Sequence, residues 1–299
     1  MTNSIAYIGG FIGTNIGNAF YDEGILYALK KYLPNNQIHY ISDQPENYWL
    51  KKHENSNNKF DYLSKINVDY AVIAGPLFNK SFTPLWLETC KHLQSKGTKI
   101  IFLSAGLSSY NKEEIKQVKE ALEIIKPYAI CTRDSFTYDV CKSVTSHIYD
   151  GICFAFFISD YFKPYNISYD PYVVLTFDAM PEPLFYKYSG SIENSHNVFT
   201  FNDIQWRFNQ KTYSFFDKVC TRLNVPRTFP INKCFENYQI IRPTNSVYKK
   251  NIYRYPNTYA SDVYSDYLNL FANSEGVFSD RVHSCVAALS LGKPAMLFS

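Results

Sequence analysis

Arg281 and His283 stand two residues apart just ahead of an amphipathic run, which Gly292 closes, with Pro294 beyond it and the apolar segment Ala295 to Phe298 after that. This order predicts strand, loop, helix and strand, so the pair falls at a helix N-terminus. Backbone N–H groups and the helix dipole already favour an anion there. Arginine adds a planar fork for phosphate or carboxylate, and histidine adds a proton that moves near neutral pH. The combination suits holding an anionic donor and protonating it or its leaving group. Two structural readings use the same spacing: Arg281 pairs with a neighbouring acid, and His283 caps the helix.

Two more strand-to-helix junctions offer anion ligands. The loop Gly9 to Asn18 contains four glycines, at 9, 10, 13 and 17, and two side-chain amides, Asn15 and Asn18. Glycine lets a backbone approach a ligand closely. The loop lacks the G-x-G-x-x-G order of a dinucleotide fingerprint and the Lys-Ser/Thr of a P-loop. A tight turn with Asn18 as the helix N-cap fits it equally well. At Thr132-Arg133-Asp134-Ser135, Arg133 is placed to reach a ligand while Asp134 or Ser135 caps the helix behind it. An exposed, unengaged arginine is the alternative there. Gly75-Pro76 and Asp150-Gly151 read as strand-end turns. The remaining histidines, 39, 53, 92, 147 and 196, show no metal spacing, and neither G-x-S-x-G nor H-E-x-x-H occurs.

The elements that must position these residues alternate. Strands are expected at Ser4–Ile8, Gln37–Ile41, Tyr70–Ala74, Lys99–Ser104, Tyr128–Thr132 and His147–Tyr149. Helices are expected at Asn18–Tyr32, Pro84–Ser95, Lys112–Lys126 and from Ser135 to about Ser143. That is the pattern of a parallel α/β sheet. Ile152 to Ile158, the longest apolar run, reads as a buried strand or short helix. Ser159 to Tyr169 is irregular and reads as a linker. Beyond it, strands are expected at Tyr172–Phe177, His196–Phe201 and Tyr238–Ile241, and helices at Asp203–Leu223 and Ser261–Ala272. The fold class is therefore α/β with two Rossmann-like domains, residues 1–160 and 170–299, and a ligand site in the cleft between them. The chain stops at Ser299, directly after a strand that would ordinarily be covered by a helix, so a C-terminally truncated second domain is expected.

Composition narrows the partners. The 299 residues carry a formal net charge of +3 with the basic residues dispersed, which gives no nucleic-acid footprint. Seven cysteines without a C-x-x-C pair suggest neither zinc nor a disulfide framework, and fit the reduced thiols of a cytoplasmic protein. No basic leader precedes the first strand, and no run approaches the ~18 apolar residues of a membrane span. Among 26 Tyr and 23 Phe, core packing accounts for most, with a minority available to stack on sugar.

Taken together, these motifs resemble the polysaccharide pyruvyl transferase family over essentially the whole chain. Asn15-Ile16-Gly17-Asn18 is similar to its N-x-G-D/N pattern, with Asn18 in place of the commoner acid. Ala74-Gly75-Pro76 and Ser104-Ala105-Gly106 are similar to its two glycine-bearing turns, and Thr132 to Ser135 to its R-D-x-x-S element. Asp150 to Phe154 is similar to its D-P-A-F element with Gly151 for proline, and Arg281-Val282-His283 with Gly292-Lys293-Pro294 to its R-L-H…G-x-P block. The resemblance implies a GT-B-like arrangement, phosphoenolpyruvate as donor, and a hexose of a glycan or glycolipid precursor as acceptor. It implies that Arg133 binds the donor carboxylate or phosphate, and that Arg281 and His283 bind its phosphate and carry catalysis. Asn15, Gly17, Asn18 and Gly75 would line the substrate site. The scheme calls for no metal and no cofactor. Acceptor contacts are expected from the loops Trp49–Asn58 and Met180–Asn194. Two rivals share the fold: a GT-B glycosyltransferase using a sugar nucleotide, disfavoured by the lack of a clear acid after Glu275 and Asp280, and a non-catalytic glycan-binding protein.

Overall fold

The structure is a computed structural model. It describes residues 2–10, 15–42, 62–178, 198–201, 204–207, 237–244 and 256–298, together with 182, 212, 215, 218–220, 222, 223, 225 and 235. The chain packs into two compact units, Met1–Gly13 with Asn18–Tyr161, and Thr14–Gly17 with Phe162–Ser299.

In the first unit the order is β1 (Ser4–Gly9), α1 (Gly17–Tyr32), β2 (Gln37–Ser42), α2 (Tyr62–Lys65), β3 (Tyr70–Ala74), α3 (Phe82–Ser95), β4 (Lys99–Ala105), α4 (Lys112–Ile125), β5 (Ala129–Thr132), α5 (Ser135–Cys141) and β6 (Ile148–Asp150). The six strands form one sheet in the order β2-β1-β3-β4-β5-β6, parallel throughout. Helix α3 buries Phe82, Trp86, Cys90 and Leu93, and α4 buries Val118, Ala121, Leu122 and Ile125. Both sets follow the spacing of a single helical face. Phe78, Phe82 and Phe102 are fully buried, with edge-on ring pairs at 5.1, 5.4 and 5.6 Å. Each such side chain contributes about 1.5–3 kcal/mol by leaving water. Strand order reverses between β1 and β3, and ligands of such sheets bind beyond the carboxyl ends of strands at that reversal.

The apolar run after β6 is helical and split. It forms a 3-10 turn at Phe154–Phe157 followed by α6 (Ile158–Tyr161). Ala155 and Ile158 are buried, whereas Ile152 and Phe156 are exposed, so the run is not a buried strand.

The second unit contains β7 (Tyr172–Thr176), β8 (Val198–Phe201), β9 (Ile204–Arg207), β10 (Gln239–Pro243), β11 (Thr258–Tyr259), α7 (Tyr264–Asn273), β12 (Gly276–Ser279), α8 (Val282–Ser290) and β13 (Ala295–Leu297). Five strands make a parallel sheet ordered β11-β10-β7-β12-β13, the Rossmann succession, whose reversal lies between β7 and β12. The segment expected to be a linker is fastened to α7. Asn269 and Asn273 side chains accept the backbone N–H groups of Tyr165 and Ile167, each at 3.1 Å.

One helix begins later than expected. Ile204–Arg207 pairs antiparallel with Val198–Phe201 instead of opening a helix at Asp203. Ile-Gln-Trp-Arg alternates apolar and polar residues, the period of a strand, and a reading over a longer window hides that. Helical backbone is described at 212, 215, 218–220 and 222. Of the acceptor loops expected from sequence, 49–58 and all of 180–194 except Glu182 lie outside the described residues.

Candidate functional site

Arg281 is the residue immediately before α8, and His283 is the second residue within it. Both follow the carboxyl end of β12, which pairs with β7 so that Ser279 faces Thr176. The motif therefore sits at the strand-order reversal of the second sheet, where the fold opens a ligand crevice. Buried hydroxyls lock this corner. The Ser279 hydroxyl contacts that of Thr176, donates to its carbonyl at 3.1 Å, and accepts the Arg281 backbone N–H at 2.8 Å.

Two buried carboxylates flank the guanidinium. Arg281 Nε lies 3.9 Å from Asp178 Oδ2 and 3.7 Å from Asp280 Oδ1, beyond hydrogen-bond reach, and is buried without a partner. The Arg281 side chain is nevertheless 35% exposed, against 5% and 4% for the two acids, so its open surface lies away from Nε. The acids have other commitments. Asp280 Oδ1 accepts the Asp178 N–H at 3.2 Å, and Asp178 Oδ1 accepts the Thr244 hydroxyl at 3.1 Å. The Thr244 carbonyl in turn accepts the Tyr267 hydroxyl at 2.7 Å. Thus the sequence alternative of an acid-paired Arg281 holds as proximity, without a hydrogen bond through Nε.

Asn15, Gly17 and His283 come together. Asn15 Oδ1 accepts the Gly17 N–H at 3.0 Å. A β-carbon on Gly17 would lie 2.9 Å from His283 Cβ and 3.0 Å from Nδ1, so only glycine permits this approach. Asn18 is not the N-cap proposed for it; it lies within α1, one residue after the helix start.

In the first unit the candidates divide. Gly75 follows β3 at the strand-order reversal, with φ of +101° and the Tyr21 hydroxyl against it. Arg133 follows β5, two strands further on, about 10 Å across the sheet. Its backbone N–H donates to the Ala105 carbonyl at 2.9 Å, and its side chain lies over Gly106, where a β-carbon would come within 2.3 Å of Nε. Asp134 is the N-cap of α5, accepting the Thr137 N–H at 2.8 Å.

Sequence reading missed Tyr110, beside Arg133, and Glu114, which holds the Tyr110 segment. The Tyr110 hydroxyl reaches Asp134 Oδ2 at 3.4 Å and also meets the Arg133 side chain. Burial, and then the Asp134 charge, push its pKa up. The segment is strained. Ser104 and Tyr110 have φ of +56° and +53°, and β4 slips register between Leu103 and Ala105. Left-handed backbone costs a non-glycine residue roughly 1–2 kcal/mol. Glu114 offsets this: its buried Oε1 accepts the N–H groups of Ser108, Ser109 and Tyr110 at 3.0, 2.8 and 3.0 Å. The signal was the capping spacing Asn111-x-x-Glu114, in which Asn111 Oδ1 takes the Glu114 N–H at 2.9 Å.

At the first reversal, the Tyr7 hydroxyl donates to the fully buried Asp22 carboxylate, and burial followed by that charge raises the tyrosine's pKa. Among the described residues, no three His, Cys, Asp or Glu side chains gather as a metal site, and no helix is long and apolar enough to cross a membrane.

A sequence model of the polysaccharide pyruvyl transferase family matches residues 15–299. The chain belongs to that family. The match begins at Asn15 and takes in every pyruvyl transferase site residue expected from sequence, from Asn15, Gly17 and Asn18 through Gly75 and Arg133 to Arg281 and His283. No curated protein matches the chain. Solved structures similar to this pyruvyl transferase family member include Staphylococcus aureus MnaA with UDP, at 12% identity and a TM-score of 0.53, covering 100% of this chain and 80% of that one. A putative UDP-N-acetylglucosamine 2-epimerase from Listeria monocytogenes is similar at 11% identity and a TM-score of 0.57, covering 99% and 79%. At such identities the likeness is one of fold alone, and that fold is GT-B-like.

Proposed function

We propose that this family member transfers pyruvate from phosphoenolpyruvate to two hydroxyls of a hexose in a glycan or glycolipid precursor, giving a cyclic ketal and inorganic phosphate. The observation that carries the reading is the placement of Arg281 and His283 at the strand-order reversal and helix N-terminus of the second sheet, within a chain of this family.

The chemistry divides into two additions at one carbon. A proton enters the terminal enol carbon, C2 gains positive charge, and the first sugar hydroxyl bonds to C2. The C2–O bond to phosphate then breaks and the second hydroxyl closes the ketal. Of the two hydroxyl protons, one balances the new methyl group and the other leaves on phosphate. Arg281 neutralises the phosphate as it departs, and the α8 N–H groups assist. His283 serves as general acid or base, its position fixed by Gly17. Arg133 serves as a ligand of the donor carboxylate or phosphate. Asn15, Asn18 and Gly75 complete the substrate ligands.

Thermal shift with phosphoenolpyruvate against a panel of nucleotide sugars tests the donor. Stabilisation by phosphoenolpyruvate is expected. Stabilisation by a nucleotide sugar alone would transfer the case to the glycosyltransferase reading, and response to neither donor, with glycan binding retained, to a non-catalytic protein.

A further inference from the structure

Beside Arg133 the first unit exposes two aromatic side chains at the carboxyl ends of its strands. Tyr110 is 43% exposed and Phe136 50%, and their rings meet edge-on at 5.5 Å. Neither position is incidental. Tyr110 adopts φ of +53°, a conformation that turns cost-free with glycine, and the buried Glu114 carboxylate holds it there through three backbone N–H groups. Phe136 stands in the first turn of α5, whose N-cap Asp134 also touches the Tyr110 hydroxyl. A water-exposed aromatic pair, one member strained and anchored and the other fixed on a helix, has the features of a preorganised binding surface.

We propose that Tyr110 and Phe136 form the platform on which a pyranose ring of the acceptor saccharide stacks, with the Asp134 carboxylate at its edge to accept from its hydroxyls. A pyranose offers an apolar C–H face to an aromatic ring and hydroxyls at its edge for planar donors and acceptors. The Asp134 carboxylate, at the Tyr110 hydroxyl, suits a neutral, hydroxyl-rich ligand on the rings. Naming this saccharide the acceptor rests on the pyruvyl transfer reading; its binding does not.

The test uses the full chain with galactosyl and mannosyl oligosaccharides, by ligand-observed NMR titration and by phosphate release from phosphoenolpyruvate. Tyr110→Gly keeps the positive φ available, Phe136→Ala removes the second ring, and Tyr110→Phe keeps the ring without the hydroxyl. Tyr110→Gly and Phe136→Ala are each expected to weaken saccharide binding at least tenfold and raise the acceptor KM. The KM for phosphoenolpyruvate should stay within about twofold and the melting temperature should hold. Tyr110→Phe is expected to bind nearly as wild type. Saccharide binding unchanged by loss of either ring, or no binding of any probe by wild type, would overturn the platform. Ring-dependent saccharide binding without phosphate release would instead leave the platform standing and count against pyruvyl transfer.

Discussion

Gly17 rests directly against His283, leaving no room for a side chain: a β-carbon there would come within 2.9 Å of the imidazole-bearing Cβ. The first residue of α1 thereby sets where the histidine ring stands. Gly17→Ala is expected to shift His283 and to lower phosphate release at least tenfold, with the second unit still folded by circular dichroism. Wild-type turnover in that variant would mean that the close approach plays no part in catalysis.

Glu114 holds the strained Tyr110 segment through one oxygen. Glu114→Ala leaves three backbone donors without that acceptor, so a loss of about 3 kcal/mol is expected in urea titration. Alanine at the adjacent Glu113 should stay within about 0.5 kcal/mol. Equal losses at both positions would deny the carboxylate its anchoring role.

Phe102 tests the core beneath the first sheet. Truncation to alanine removes a ring packed edge-on against Phe78 and Phe82, and about 3–5 kcal/mol of stability should go with it. A loss under about 1 kcal/mol in the unfolding transition of that unit would show the core to be loosely packed.

The thiols should be inert in the folded protein. Burial pushes Cys90 and Cys141 to about 12 and Cys285, two residues from His283, to about 11, from an ordinary 9.0. Below about pH 9 both folded and unfolded states keep these protons. Between about 9 and 12 only the unfolded chain releases them, so stability falls as pH rises. Disulfide-exchange labelling at pH 8 should leave all three unmodified until urea is added. Rapid native labelling of Cys285 would place a reactive thiol beside the site.

Much of this was legible because apolar periodicity is strong where strands are fully buried, as at Tyr172–Thr176, and where one helix face is apolar, as in α4. The R-x-H block stood out because a helix start between two apolar strands has few alternatives in a parallel sheet. Ile204–Arg207 was missed because a strand of four residues carries only two alternations, fewer than a helical window needs to yield. Tyr110 escaped because its importance lies in a backbone angle and in Glu114's reach back to it, neither of which changes the apolar pattern. The approach of Gly17 to His283 joins residues far apart in sequence, and no local spacing encodes it.

In the proposed reaction Arg281 and His283 carry pyruvyl transfer. Following phosphoenolpyruvate and inorganic phosphate by 31P NMR, with a panel of galactosyl and mannosyl acceptors, measures it directly. Wild type should convert one to the other only with an acceptor present, while Arg281→Ala and His283→Ala, folded by circular dichroism, should fall by at least a hundredfold. Conversion by either variant at near wild-type rate would contradict the account.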